Sequence, residues 1–456
     1  MEAISTYLNN HRDRFIDELK AFLRFASVSA DFRYKPDLLA CADFVADELR
    51  KVGFPVVERF ETAGNPIIYG EWIVSADKPT VLFYGHYDVQ PPDPLEKWIS
   101  GPFDPTIRDG HIFARGTSDD KGQVFCHLKS IEAHFHTMGT LPVNVKFIIE
   151  GEEEVGSPNL FGFLHQHQHR LKADIAVVSD TPMLSEDIPS ISTSLRGLCL
   201  CELIITAAKT DLHSGQHGGV APNAIQILVE VLAKLKDENG KILIPGFYDD
   251  VFTIPADIRS MIRTLPEPEA DYQKQIGTSY LIGEKDEYHL YERLWFRPTL
   301  EINGIIGGYT QEGTKTVIPN QASAKLSTRL VKNQDPKKIF ALIQDHVKTL
   351  IPDGVTLQII EYPGCFAAMV DRSHPALKAA EKAVKKGFGK TPVLQGEGGS
   401  IPIVVEFEKC LNIQTVLLGF NLPHDQIHAP NEKFSLDHFY KGILTSAYFL
   451  EEFASL

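Results

Sequence analysis

Five short stretches hold the residues whose types could do chemistry: His86 and Asp88 in "FYGHYDVQP", Asp119 and Asp120 in "ARGTSDDKGQ", Glu152, Glu153 and Glu154 in "IEGEEEVGS", Asp180 in "VVSD", and His428 in "IHAPNEK". Each stretch has an ordinary reading of its own. A His-x-Asp pair is often a satisfied loop pair. An Asp-Asp pair ahead of a helical pattern is a ready N-cap. Three consecutive glutamates can form a solvated turn. What the five share is position, because each follows an apolar strand or a Gly-rich turn, where burying unpaired carboxylates is expensive. Two divalent cations would remove that cost. A pair of zinc ions about 3.5–4 Å apart needs an oxygen bridge, imidazole and carboxylate ligands, and a water held between them. A further carboxylate that is not a ligand must take the proton of the attacking water and return it to the leaving amine. Adjacent glutamates can divide those two tasks.

These residues need elements to position them. "LLACADFVADELRKVG" has helical periodicity, whereas "TVLFYGHYDV", "NVKFIIEGEEE" and "DIAVVSD" are short, apolar and β-rich. The alternation predicts an α/β sheet with buried strands, and such sheets bind ligands at the carboxyl ends of their strands. The first segment predicts one amphipathic helix with Ile4, Leu8, Phe15, Leu19 and Phe22 inward. The middle of the chain has a different order. "LCLCELIITA", "APNAIQILVEVLAKL", "TLEINGI", "SAKLSTRLV", "PKKIFALIQDHVKTL" and "VTLQIIEYP" spell βαββαβ, the ferredoxin-like arrangement, with a long insertion over residues 240–297. The α/β alternation then resumes. The expected organisation is a discontinuous α/β catalytic domain, residues 1–188 and 370–456, with a ferredoxin-like lid and dimerisation domain, residues 189–369, inserted into it.

Composition narrows the classes of function. The 456 residues are 43% hydrophobic and exceed what one core usually holds. No apolar run approaches the ~20 residues of a membrane span, so a membrane partner is not expected. A formal net charge of −15 argues against nucleic acid as a partner. Six scattered cysteines lack the dense spacing of a disulfide framework and suit a reducing cytoplasm. Cys199-x-Cys201 lies in a strand-like run and reads as packing, and the His165, His167 and His169 cluster reads as an exposed helix face.

The five stretches, together with "DLHSGQHGG", "VIPNQASAKLSTRL" and "GEGGSIPI", resemble the dinuclear-metal peptidases of the carnosinase, aminoacylase and glutamate carboxypeptidase family. The resemblance runs in order along nearly the whole chain and is strongest to cytosolic nonspecific dipeptidases and carnosinases. It implies a metal-dependent exopeptidase-like fold. It also implies two divalent ions, zinc foremost with manganese or cobalt as substitutes, bridged by Asp119. His86 and Asp180 would complete one site, and Glu154 and His428 the other. Glu153 would be general base and acid, Asp88 would orient the imidazole of His86, and the Asp119–Asp120 peptide would be cis. His213 would enter the partner subunit's site of a homodimer and support the oxyanion. Arg329 would bind the C-terminal carboxylate of the substrate, with Thr316 and Ser400 as further polar contacts. His217 has no matching role.

One departure stands out: "GCFAAMV" replaces the basic or Trp-containing stretch common after the last lid strand of carnosinase-type chains. The implied activity is hydrolysis of dipeptides by a hydroxide held between the ions. An N-acyl amino acid deacylase would use the same metals and base, and a non-catalytic metal-binding homologue would have no need of Glu153.

Overall fold

Apart from Thr80, every residue of the strands Thr80–His86, Asn144–Glu150 and Ile175–Val178 is buried, as expected of parallel strands covered on both faces. The computed structural model describes residues 2–266, 269–285 and 287–456. It places these three strands inside an eight-stranded sheet of order Val56–Phe60, Ile67–Trp72, Asn144–Glu150, Thr80–His86, Ile175–Val178, Thr415–Leu417, Ser190–Ser192, Val393–Gln395. The four from Asn144–Glu150 to Thr415–Leu417 run parallel, so their carboxyl ends lie along one edge. Helix Lys121–Met138 crosses from Thr80–His86 to Asn144–Glu150 and packs on the long helix Leu436–Ala454. Phe22, Phe125, Phe147, Phe439 and Phe449 belong to the resulting core.

The chain divides into two compact units: Met1–Thr193 with Val370–Gln395 and Ile403–Leu456, and Ser194–Met369 with Gly396–Pro402. The second unit is a four-stranded antiparallel sheet of order Glu301–Gly307, Gln321–Leu330, Gly197–Thr206, Thr356–Cys365. Helices Ala224–Ala233 and Pro336–Leu350 follow its first and third strands in the chain, giving the βαββαβ order. Strand Gly197–Thr206 alternates strictly between buried and half-buried residues. Cys199 and Cys201 therefore sit in the core beside Leu203 and Ile205, as packing residues.

Two details differ from the sequence reading. The N-terminal segment is two helices, Glu2–Asn10 and Arg12–Leu23, parted at His11, whose Nδ1 lies 2.8 Å from the Tyr7 carbonyl oxygen. Ile4, Leu8, Phe15, Leu19 and Phe22 are all buried nonetheless. Residues 396–402 group with the second unit because Arg196 holds them. Its main-chain N–H donates to Gly399 O at 2.9 Å, its Nε donates to Gly398 O at 2.8 Å, and its carbonyl accepts from Ser400 Oγ at 2.5 Å.

Gly85 lets helix Lys121–Met138 come down onto the strand that ends at His86. A Cβ there would lie 2.2 Å from Val124 Cγ2 and 2.7 Å from Asp120 Oδ2. Gly85→Ala is expected to cost about 1–3 kcal/mol through overpacking. Gly162, inside helix Leu160–His167 with open space around it, should instead gain about 0.5–1 kcal/mol on replacement by Ala. Urea unfolding of the two variants checks both signs.

Candidate metal centre

His86 closes its strand with the side chain fully buried. Its Nδ1 faces the Asp88 carbonyl oxygen at 3.0 Å, which leaves Nε2 as the outward nitrogen. Nε2 has no hydrogen-bond partner of its own and lies 3.0 Å from Asp119 Oδ1. A buried imidazole nitrogen aimed at a carboxylate is what a divalent ion would occupy.

Asp119 precedes helix Lys121–Met138, and its peptide bond to Asp120 is cis. Its second oxygen, Oδ2, is 2.9 Å from Nε2 of the exposed His428, and that nitrogen is 3.3 Å from Glu154 Oε2. Ligand atoms of His86, Asp119 and Asp180 converge within 4.8 Å, and so do those of Asp119, Glu154 and His428. Asp119 therefore belongs to two three-donor sets.

The carboxylates around these donors are not a solvated turn. Glu152 accepts from Asn65 N at 3.0 Å and Asn159 Nδ2 at 2.7 Å. Glu153 and Glu154 open a short 3-10 turn whose main-chain N–H groups donate to the two oxygens of Asp88, at 3.2 and 3.1 Å. Asp88 thus does more than the sequence reading gave it. Its carboxylate holds the glutamate turn, with Oδ1 3.4 Å from His86 Nδ1, while its carbonyl meets the imidazole. Asp120 occupies the N-cap position but does not cap, since Oδ2 accepts from His86 N at 3.4 Å and Oδ1 is buried without a hydrogen bond.

Sequence reasoning missed Gln90, which donates to Glu154 Oε2 at 2.8 Å from its side chain and to Oε1 at 3.1 Å from its main chain. It lies two residues after Asp88, and that proximity was its only signal. Also missed were Arg115 and Glu432, a buried ion pair at 2.8 Å. The histidine cluster forms no such set among the described residues: His165 lies 3.5 Å from Cys410 Sγ, while His167 packs on Phe163 and Phe60.

The remaining candidates lie in the second unit. His213 ends a two-residue strand paired with Val317–Ile318, and Ser214 N donates to Thr316 O at 3.1 Å, so His213 and Thr316 share one ribbon. His213 is exposed, and its Nδ1 accepts from Gly215 N at 3.0 Å. Ser214–His217 is a single helical turn. Arg329 Nη1 donates to Ser400 Oγ at 2.7 Å, and the guanidinium forms no ion pair among the described residues.

The charges shift one another strongly. Burial would raise the Asp119 carboxyl, but the imidazoles of His428 and His86 beside it hold it well below the usual range. Burial, with the Glu154 and Asp119 charges, pushes Glu153 up to about 8. Burial likewise takes Asp120 to about 8 and raises Asp180 well above the ordinary carboxylate value. Hydrogen bonds to Asp119 and Glu154 raise His428 to about 10.

Residues 82–452 match the family described as Peptidase family M20/M25/M40. The chain is 31% identical over 471 aligned residues to the Cys-Gly metallodipeptidase of Schizosaccharomyces pombe, covering 100% of this chain and 99% of that one. Among solved structures, human carnosine dipeptidase 1 superposes with a TM-score of 0.89 at 29% identity over 100% and 99% of the two chains. A metallo-carboxypeptidase from Sulfolobus solfataricus gives 0.88 at 33% identity over 97% and 99%.

An ion entering the set of Asp119, Glu154 and His428 must displace the imidazolium proton, which His428 keeps up to about pH 10. Uptake at pH 7.5 is expected to release protons, and apparent affinity to rise about tenfold per pH unit for each proton displaced. Calorimetric zinc titrations in two buffers of different ionisation enthalpy should give different heats. Equal heats would refute the displacement.

Proposed function

Because the chain belongs to peptidase family M20/M25/M40, we propose that it is a two-metal dipeptidase, hydrolysing the single peptide bond of dipeptides. The observation that carries this reading is the carboxylate of Asp119 standing in two three-donor sets at once. Imidazole and carboxylate donors suit zinc, with manganese or cobalt as substitutes. Ions held there would polarise the scissile carbonyl and acidify an attacking water.

The chain's own residues supply the rest. Glu153 takes the proton of the attacking water and returns it to the leaving amine, a task favoured by an acidity pushed up to about 8, near the operating pH. Asp88 keeps Glu153 and Glu154 in register by holding both of their N–H groups. The fork of Arg329, steadied by Ser400 and engaged in no ion pair among the described residues, receives the substrate's terminal carboxylate and sets the length of peptide accepted. Thr316 adds a polar contact, and an imidazole donor from His213 supports the charge that develops on the carbonyl oxygen.

We assign His213 to the partner's site of a homodimer. Support comes from the edge strand Glu301–Gly307, which leaves Ile302, Ile305 and Ile306 exposed at 43%, 50% and 66%, a face that asks to be covered. The discontinuous catalytic domain and inserted lid are part of the same reading. Six cysteines scattered without the dense spacing of a disulfide framework favour a cytoplasmic setting, and no described helix is long and apolar enough to cross a membrane.

Zinc- or manganese-loaded protein should release amine from dipeptides, and neither from tripeptides nor from N-acetyl amino acids. Glu153→Gln should lower kcat by about 10²–10⁴-fold. Cleavage of longer peptides from the C-terminus, or of the acylated substrates alone, would overturn the dipeptide assignment. Placement of His213 is tested by complementation. Glu153→Gln and His213→Ala proteins, each inactive, should regain activity when their subunits are exchanged, because every mixed dimer then holds one intact site. Continued inactivity of verified mixed dimers would put His213 in its own chain's site.

A further inference from the structure

The metal centre draws on two stretches far apart in the chain, the loop 115–119 that ends in Asp119 and the segment 425–433 that carries His428. A single buried carboxylate ties them together. Glu432 is 0% exposed, and both its oxygens are fully used. Oε2 accepts from Arg115 Nη1 at 2.8 Å and Gly116 N at 2.9 Å, and Oε1 accepts from Ser118 N at 2.9 Å and Asp119 N at 3.2 Å. Four donors match the lone-pair capacity of a carboxylate. The main chains lock alongside, with Ala114 N donating to Glu432 O at 3.2 Å and Ser118 Oγ to Lys433 O at 2.8 Å. Arg115, 1% exposed, balances the charge and donates its Nη2 to Pro91 O at 3.2 Å.

The loop thus forms a nest of main-chain N–H groups around an anion that the protein itself provides. Gly116 makes the nest possible, since its φ is +85° and a Cβ there would fall 2.5 Å from Val89 Cγ1. Glu432 belongs to neither donor set. It nevertheless holds the main-chain nitrogen of Asp119 and lies four residues after His428, the two residues that meet at 2.9 Å. Small displacements there matter because Asp119 has to serve both sets.

We propose that Glu432 is a positioning residue of the metal centre: by gathering the N–H groups of Gly116, Ser118 and Asp119 it fixes the separation of Asp119 and His428, and with it the affinity of the Asp119, Glu154 and His428 set for its ion. This rests on the two-ion reading of the centre.

In Glu432→Gln, one arm of the side chain becomes a donor facing donors, which frees part of the loop. Arg115→Met combined with Glu432→Gln removes the pair together and strands no buried charge, so it guards against a variant that fails to fold. Metal-stripped wild type and both variants, each checked for fold by far-UV circular dichroism, would be titrated with zinc against a competing chelator and then refilled with cobalt for absorption spectra. We expect one ion to bind 10–100-fold more weakly in the variants, with altered cobalt bands, and the other ion to keep its affinity. A folded double variant with wild-type affinities and an unchanged cobalt spectrum would reduce Glu432 to a staple of the fold and overturn the proposal. Wild-type protein that takes up no divalent ion would overturn the two-ion reading, and the proposal with it.

Discussion

Repulsion among buried carboxylates governs this molecule. Asp119, Asp120, Glu153, Glu154 and Asp180 crowd one edge of the sheet, where burial and the neighbouring charges make Asp120, Glu153, Glu154 and Asp180 weaker acids than ordinary carboxyls. Two like charges 4 Å apart cost about 4 kcal/mol even at an effective dielectric of 20. A fold does not accumulate such terms by accident. Without an ion the site compensates partly by keeping His428 charged and by holding carboxyls neutral. Divalent cations would offset this repulsion, so the pattern that is a liability for folding becomes a reservoir of affinity for metal.

The scaffold turns that liability into geometry. Four parallel strands bring their carboxyl ends to one edge, and few of the donors there depend on their own rotamers alone. Asp88 holds the glutamate turn, Gln90 holds Glu154, and Glu432 holds the loop ahead of Asp119. This outer set of hydrogen bonds converts a crowd of acids into an arrangement with defined spacings, and a metal centre depends on such spacings as much as on its ligands. The second unit carries a different chemistry, with Arg329 fixed by Ser400 and with His213 and Thr316 on one ribbon. It presents a cation and hydrogen-bonding side chains where the first unit gathers acids.

Much of this was legible in the sequence for physical reasons. Buried parallel strands are continuous apolar runs, so "VLFYGH" and "NVKFIIE" announce themselves, and polar residues at their ends stand out by contrast. The βαββαβ order could be read because strand Gly197–Thr206 alternates with period two while helix Pro336–Leu350 keeps its own period. Local pattern carries less about residues whose partners are remote. Arg115 and Glu432 look like ordinary surface charges until the fold buries them together. Asp120 has the right type and place for an N-cap, yet its side chain turns to His86 N. Residues 396–402 followed the domain assignment of their neighbours until Arg196 was seen to hold them. Which glutamate of the three takes which role was available only through family resemblance, since charge alone does not distinguish them.

The first unit is interrupted by the second, and this has a consequence for how the protein is made. Four of the five donors belong to the first 180 residues, whereas His428 follows the entire inserted unit. At about 5–20 residues per second, a ribosome needs roughly 12–50 s to cover the interval between Asp180 and His428. Throughout that time the nascent chain holds Asp119 and Glu154 without the imidazole that completes their set. The set that His428 completes can therefore form only after the whole second unit has been synthesised.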